Sequence, residues 1–196
     1  MKKTVRRILF LILAAVCTSS VASAQKVGIK TNLLTDAVLS PNVGVEVGLT
    51  PKWTFDLRGQ FNFWTVDSHK WKHWLAQPEF RYWFCEKFSG NFIGFHAIGG
   101  EYNFGNINND FKFLNSDFSL LTGHRVQGWG AGAGVSYGHA WILADHWNLE
   151  AEIGIGWIFT KYDVYPCAEC GTKLESDKAH NYFGPTKLGV ILEYLF

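Results

Sequence analysis

Beyond its first two dozen residues, this 196-residue chain has no long apolar run and no excess of basic charge. A membrane-spanning helix needs about 20 consecutive apolar residues, so a helical membrane protein is excluded. Of the 18 Lys and Arg residues, 4 lie within the first seven positions, and the other 14 stand against 17 Asp and Glu. The remainder of the chain is acidic by about three charges, which argues against nucleic acid as a partner.

The N-terminal segment has the three parts of a secretory signal peptide. Its basic start consists of Lys2, Lys3, Arg6 and Arg7. Ile8 to Val16 form an apolar core, and Ala22 to Ala24 supply a small-residue cleavage pattern. We therefore predict a leader over residues 1–24, cleaved after Ala24, and a single domain over residues 25–196. The alternative is a lipoprotein acylated at Cys17, which would require a small residue where Val16 stands.

Repeated alternation of apolar and polar residues predicts an all-β chain. The content of 16% aromatics and 20 glycines fits many strands and turns. Eight segments are predicted, namely Lys26–Leu34, Asn42–Thr50, Trp53–Thr65, Lys72–Phe84, Asn91–Phe104, Val126–Ile142, Asn148–Tyr162 and Tyr182–Phe196. A tilted barrel strand crosses a bilayer in about 9–11 residues, so each segment is long enough to do so.

The connections between these segments alternate in length. Short ones follow the second, fourth and sixth segments, and the longest of the others are Gly105 to Arg125 and Asp163 to Asn181. Short turns on one rim and longer loops on the other are typical of outer-membrane barrels, with the short side in the periplasm. We therefore predict an eight-stranded antiparallel up-and-down transmembrane β-barrel.

The first hairpin constrains its own register. For Leu49 and Trp53 to share the outer face, the turn between them must contain an odd number of residues, most simply three. Depending on whether Thr50 or Pro51 opens that turn, Glu46 faces Asp56 or Arg58. Because like charges directly opposite each other are destabilising, charge favours Arg58.

The polar parity is predicted to line the interior, the inverse of a soluble ligand carrier. Aromatic residues near the segment ends suggest interfacial girdles on the apolar parity. Five glycines share the polar parity of the sixth segment, and a narrow lumen has little room for side chains: Gly128, Gly130, Gly132, Gly134 and Gly138. Ten charged residues are then expected inside: Lys30, Glu46, Asp56, Arg58, Glu79, Arg81, Glu150, Glu152, Lys187 and Glu193.

These inward charges have two interpretations. Buried charges must be paired and hydrogen-bonded, so the first is an ion-pair network that fills the barrel, with the sixth-segment glycines making room for Arg58 and Arg81. The second is a narrow ion path or gate. Glu150 and Glu152 also suggest acid–base chemistry, but any inward-facing strand places residues at this spacing. His96 is expected to be a hydrogen-bonded interior residue.

Three cysteines remain after the leader is removed, an odd number in an oxidising compartment. Cys167 and Cys170 lie in the last long loop, where a local disulfide is the leading interpretation. A metal site there would need further ligands, for which His124 and His180 are the suggestive neighbours. Redox catalysis lacks a thioredoxin-like context. Cys85, in a turn at the opposite rim, is expected to be free.

Asp67, Ser68 and His69 form the remaining combination with catalytic side chains. Some outer-membrane enzymes that act on lipid place Ser and His at such a rim. Here the three residues are consecutive, whereas triad partners normally come from separate segments. Solvated loop residues are the simpler interpretation.

The end of the chain alternates up to its last residue. A final strand that ends on an aromatic residue resembles the C-terminal signal by which outer-membrane barrels are recognised for assembly, with Tyr194 and Phe196 as its residues. Several strings also resemble a family of small Gram-negative outer-membrane proteins known only as a domain of unknown function: Lys30–Leu34, Pro41–Glu46, Gln77–Cys85, His146–Glu150 and Tyr182–Lys187. The resemblance implies an outer-membrane barrel whose relatives often accompany surface-fimbria genes, and it brings no catalytic or binding residues.

The predicted role is a non-enzymatic outer-membrane barrel, without cofactor or metal, that presents surface loops for interaction, anchoring or envelope integrity. Expected partners are outer-membrane lipid and lipopolysaccharide, the barrel assembly machinery, and surface or fimbrial proteins. The alternatives are a narrow ion or solute channel through the charged lumen and an outer-membrane lipid-modifying enzyme.

Overall fold

The computed structural model describes residues 27–66, 69–105, 112–113, 116–117, 123–167, 169 and 171–196. The predicted leader lies outside these residues. The strands are β1 (Val27–Asn32), β2 (Asn42–Gly48), β3 (Trp53–Asn62), β4 (Thr65–Val66), β5 (His69–Trp83), β6 (Gly90–Gly105), β7 (Lys112–Phe113), β8 (Ser116–Asp117), β9 (Arg125–Ala144), β10 (Trp147–Tyr165) and β11 (Glu175–Leu195). The described part of the chain also contains a short helix, α1 (Leu33–Ala37).

Eight strands form one antiparallel up-and-down sheet, in the order β1, β2, β3, β5, β6, β9, β10 and β11. Because β1 also pairs with β11, the sheet closes into a ring of hydrogen-bonded strands. The two-residue strand β4 pairs with the start of β5, and β7 and β8 form a separate small hairpin. The prediction of eight antiparallel strands is confirmed.

The connections at one end of the ring are short, and most of those at the other end are longer. Residues 49–52, 84–89 and 145–146 connect strands at the first, here called the short-turn end, and residues 33–41, 63–68, 106–124 and 166–174 connect strands at the long-loop end. The connection between β10 and β11 is shorter than the predicted loop Asp163–Asn181, because β10 extends to Tyr165 and β11 begins at Glu175. Strand pairing continues there without regular apolar alternation, because the start of β11, Glu175–Ala179, is exposed and only the end of β10, at Val164 and Tyr165, is buried.

The first strand is shorter than predicted and ends at Asn32 rather than Leu34. The side-chain oxygen of Asn32 accepts a hydrogen bond from the Leu34 N–H (3.2 Å), which caps the N-terminus of α1. The same side chain closes the seam of the ring, since its Nδ2 donates to the Leu188 carbonyl (2.9 Å) and its oxygen accepts from the Val190 N–H (3.2 Å). The pairing of β1 with β11 ends at Asn32 and Ile191. The Asn32 side chain therefore bonds the backbone groups of Leu188 and Val190 that have no partner on β1.

The turn between β2 and β3 has the predicted odd length but not the predicted register. The N–H groups of Leu49 and Thr50 both donate to the Trp53 carbonyl (2.8 and 3.1 Å), which leaves three residues, 50–52, between Leu49 and Trp53. Glu46 therefore faces Asp56, and the expectation that charge would place Arg58 opposite it is wrong. Two cations from other strands, Lys30 on β1 and Arg81 on β5, make this pairing tolerable.

The two faces of the ring differ in chemistry. Large apolar side chains point outward and are about half exposed, among them Val45 (41%), Leu57 (48%), Phe80 (51%), Phe95 (55%) and Val135 (48%). The inward parity is mostly polar or glycine, and its charged side chains are buried. Among the described residues, no helix combines the length and apolarity needed to cross a membrane.

Candidate functional site

The interior of the ring contains a network of buried charges, contributed by six of the eight strands. All ten charged residues expected inside lie there, each at most 5% exposed: Lys30 on β1, Glu46 on β2, Asp56 and Arg58 on β3, Glu79 and Arg81 on β5, Glu150 and Glu152 on β10, and Lys187 and Glu193 on β11. Period-two alternation brings them together, because every second residue of each strand points inward. Six carboxylates thus meet four cations in a closed space.

Arg81 is the centre of this network. Its Nε bonds Glu79 (2.7 Å), and its Nη1 bonds Glu46 (2.7 Å) and Glu150 (3.0 Å). Its Nη2 bonds Glu152 (2.8 Å) and lies 3.5 Å from Asp56. One planar guanidinium with five N–H donors can serve carboxylates from its own strand and three others at once, which the compact lysine ammonium cannot do.

Two lysines serve the two sides of the network. The Lys30 ammonium pairs with Glu46 and lies 3.3 Å from Glu150 and 3.5 Å from Glu193. The Lys187 ammonium pairs with Glu79 (2.5 Å) and Glu152 (3.2 Å). Each lysine therefore bridges carboxylates of different strands, which ties strands far apart in sequence into one network.

The fourth cation, Arg58, pairs with Glu152 and Asp56 instead of Glu46, so other cations must neutralise the first hairpin. Arg58 bonds Glu152 across the ring (2.8 Å) and lies 3.6 Å from the neighbouring Asp56. Glu46 and Asp56 can face each other because both also lie within 4.0 Å of Lys30 and Arg81. Cross-strand pair rules apply to two strands in isolation, whereas here cations from β1 and β5 neutralise the pair.

Comparison with known proteins gives a family but no activity. A family model described as "Protein of unknown function (DUF3575)" matches residues 8–196. The chain belongs to this family. No curated protein and no solved structure matches it. What this family member can do must therefore be inferred from its own geometry.

Three carboxylates of the network, Glu46, Glu150 and Glu193, resemble a ligand set for a cation, with oxygens within 4.8 Å of one another. In this family member all three lie within 3.5 Å of the Lys30 ammonium. A lysine side chain thus supplies the positive charge that a metal ion would bring, and the ammonium would repel a metal ion placed beside it.

An aromatic cluster closes the interior at the short-turn end. Trp83 and Phe92 are fully buried, with ring centroids 4.7 Å apart, and Phe88 is 2% exposed. The Trp83 indole N–H donates to Thr54 Oγ1 (2.9 Å), and the Arg81 guanidinium lies 4.5 Å above the Phe92 ring. Sequence reasoning missed this cluster. Trp83 shares the parity of Arg81 and could have been found, whereas Phe88 enters from a turn with a positive φ of 63° that no alternation predicts.

The glycines on β9 do not have the predicted role of making room for arginine side chains. A Cβ at Gly134 would lie 2.8 Å from His96 Nε2, and one at Gly138 would lie 2.3 Å from the Phe92 ring. At Gly128 and Gly132 it would meet carbonyl oxygens of β10 at 2.3 and 2.1 Å, while Gly130 has ordinary contacts. The β9 glycines therefore permit close approach of β10 and of these two rings, and they do not make room for Arg58 or Arg81.

Glycines on other strands accommodate the charges. A Cβ at Gly28 would lie 2.1 Å from a Glu193 oxygen, and one at Gly94 would lie 2.3 Å from a Glu79 oxygen. Gly44 stands in the same relation to Lys30, at 2.7 Å. The sequence could have indicated this role, because each of these glycines has the same inward parity as the charged residues of the ring.

The other predicted site residues lie at the two ends. Cys167 is disulfide-bonded, and its predicted partner Cys170 lies outside the described residues. Cys85 is free and exposed at the short-turn end, as expected. Asp67 and Ser68 are also outside the described residues, and the backbone of His69 begins β5.

His96 is a buried interior residue with a hydrogen-bonding partner, as expected, since its Nε2 lies 2.9 Å from Thr186 Oγ1. Tyr194 stacks on the His146 ring at a centroid distance of 5.5 Å. The Phe196 N–H donates to the Val27 carbonyl (2.9 Å), while 67% of Phe196 is exposed. The last residues are thus attached to the first strand of the ring.

Proposed function

We propose that this protein is a transmembrane β-barrel of the outer membrane that serves as a non-enzymatic scaffold for surface loops. The observation that carries the proposal is the inversion of its two faces. A ring in water would hide its apolar parity, whereas here that parity is half exposed and the charges are buried. Monomeric soluble proteins rarely expose contiguous apolar patches above a few hundred Å². Lipid is the environment that makes such a surface favourable.

The dimensions of the apolar band support this proposal. The outward-facing Trp129 and Trp141 on β9 are twelve residues apart and 45% and 47% exposed. At about 3.3 Å per residue and a tilt of about 40°, they are separated by roughly 30 Å along the ring axis. This is about the thickness of a bilayer hydrocarbon core, with aromatic residues at both interfaces.

The orientation follows from the connections. Outer-membrane barrels keep their short turns in the periplasm, so the short-turn end would face the periplasm and the long-loop end the outside. The leader pattern before Gln25 supports export. Surface or fimbrial proteins are the proposed partners of the loops.

The packing of the interior favours a scaffold over a channel. Arg81 and five of the six carboxylates are fully buried, and the sixth, Glu152, is 4% exposed. The aromatic cluster of Trp83, Phe88 and Phe92 then closes the short-turn end. We expect no steady conductance in planar bilayers. Conductance altered by Arg58→Ala or Glu150→Gln would favour the channel instead.

The decisive experiment places arginine on the outer face. Val135→Arg, midway along β9, should cost about 2–4 kcal/mol of stability in lipid vesicles, as a lipid-facing arginine does at mid-membrane. The matched control is Gln127→Arg on the same outward parity, beyond Trp129, where the cost should be about 0–1 kcal/mol. Stability is read from urea unfolding and from heat-modifiable gel migration of the membrane fraction. Equal costs for the two variants, or a fully water-extractable protein, would contradict the proposal.

A further inference from the structure

A groove of about 400 Å³ crosses the outer face of the ring near the long-loop end. One row of paired residues, Tyr102, Gly128 and Tyr162, runs along the middle of its lining. Two rows of outward-facing side chains line its sides. The row toward the long loops contains Lys72, Asn103, Gln127 and Asp163, and the other row contains Trp74, Glu101, Trp129 and Lys161.

The groove lies where the outer face changes character. Toward the middle of the ring, the same outward parity carries Phe80, Phe95 and Val135, each about half exposed. Toward the long loops it carries the polar row of Lys72, Asn103, Gln127 and Asp163. In a membrane barrel, tryptophans at such a boundary sit at the level of the lipid headgroups. The groove is therefore open to a headgroup and not to acyl chains.

The lining combines flat apolar surfaces with hydrogen-bonding groups. Trp74 and Trp129 are 46% and 45% exposed, so much of each indole surface is open to a ligand. The Trp74 indole N–H donates to a Glu101 carboxylate oxygen (3.0 Å), which holds both side chains in place. Trp129 packs edgewise on Phe159, with ring centroids 5.9 Å apart. The platform is thus held in position before any ligand arrives.

The charges of the groove argue against a simple anion site. Lys161 pairs with Asp177 (2.8 Å), and Asp163 pairs with Lys173 (2.7 Å). The hydrogen bond from Lys173 and a backbone N–H of Asp177 keep the pKa of Asp163 below its usual value, so this carboxylate stays charged. Counting Lys173, the three lysines around the groove match its three acids, Glu101, Asp163 and Asp177. The groove therefore has no excess positive charge to attract a phosphate, whereas a neutral, hydroxyl-rich group would find both donors and acceptors.

We propose that this groove binds the sugar headgroup of a glycolipid in the outer leaflet. The apolar C–H face of a sugar ring packs on Trp129 or Trp74, as amphipathic aromatic surfaces allow. Its hydroxyl groups then exchange hydrogen bonds with Gln127, Asn103 and Glu101. The inference rests on the proposed membrane location, which places the groove at headgroup level.

The test uses the full-length mature protein in phosphatidylcholine vesicles with or without purified lipopolysaccharide. Glycolipid that stays bound after detergent extraction is quantified by mass spectrometry. Trp129→Ala and Gln127→Ala should each lower the affinity about tenfold, a loss of about 1.4 kcal/mol. The matched control, Trp141→Ala, removes an equally exposed outward tryptophan at the other end and should change nothing.

Two further probes identify the chemistry. Deacylated lipopolysaccharide should compete, because the sugar and not the acyl chain is recognised, and vesicles with phosphatidylglycerol should show no binding at the groove. Equal loss for Trp129→Ala and Trp141→Ala, or binding that follows anionic charge alone, would overturn the inference. Heat-modifiable migration in the same samples separates the two proposals. A folded, inserted protein that retains no glycolipid would refute the groove only, while failure to insert would refute the membrane location.

Discussion

Replacing Arg81 by methionine should be among the most destabilising single changes in the chain. The side chain is fully buried and lies within 3.5 Å of five carboxylates. Without it, six acids would face three cations in the same space. Breaking one buried pair costs about 3–5 kcal/mol because it leaves an uncompensated buried charge. We therefore expect a loss of at least that size for Arg81→Met, even though methionine fills much of the volume.

The assay is urea unfolding of the refolded protein in lipid vesicles, followed by tryptophan fluorescence and by gel migration without heating. The control is Lys178→Met, which breaks an exposed pair with Glu175 on β11 and should cost no more than about 1 kcal/mol. Combining Arg81→Met with Glu79→Gln removes one of the unpaired charges and should recover part of the loss. Arg81→Lys retains the charge but reaches fewer carboxylates, so its stability should be intermediate.

The result that would refute this reasoning is a small effect of the single change. If Arg81→Met and Lys178→Met cost the same, the interior would be hydrated and its charges screened, as in a water-filled channel. If Glu79→Gln made the Arg81→Met variant less stable still, excess negative charge would not be the cause of the loss.

Three other predictions follow from single contacts. Gly94→Ala should unfold at clearly lower urea concentration because its Cβ would lie 2.3 Å from a Glu79 oxygen, whereas Gly59→Ala should be neutral, since a Cβ there has no described atom within 4 Å. Asn32→Ala should cost about 1–3 kcal/mol by leaving backbone groups at the seam of the ring unpaired, and an unchanged urea midpoint would count against that role. Cys85 should react with a membrane-impermeant maleimide only after the outer membrane is permeabilised, and labelling of intact cells would reverse the proposed orientation.

Alternation alone was enough to predict the eight long strands and the set of inward charges, but not where β1, β10 and β11 end or begin, nor the two-residue strands β4, β7 and β8. Each strand has one apolar parity, so the side of Glu150 or Arg58 could be read from its neighbours two residues away. The arrangement of those charges could not be read in this way. The pairing of Glu46 with Asp56 depends on Lys30 and Arg81, which reach it from other strands.

The turns and the groove were beyond sequence reasoning for different reasons. Phe88 enters the interior because its backbone adopts a positive φ, a choice that its own side chain disfavours and the surrounding packing imposes. The groove exists because strand registers place Trp129 beside Glu101 and Lys161. Each of these pairings joins residues far apart in the chain, and the register of long strands with little side-chain bulk is weakly specified by local pattern.

The pairing of β1 with β11 has a consequence for how the molecule must be made. Gly28 finds its partner Leu195 only after nearly the whole described chain has been synthesised. Until then, the first strand keeps one hydrogen-bonding edge open, and the half-built sheet carries unneutralised charges on one side and bare apolar surface on the other. Such contacts between distant residues form slowly, and open edges invite aggregation. On the export route that we propose, the polypeptide should therefore depend on a holding chaperone, and loss of such a chaperone should lower its yield more than any change in the loops.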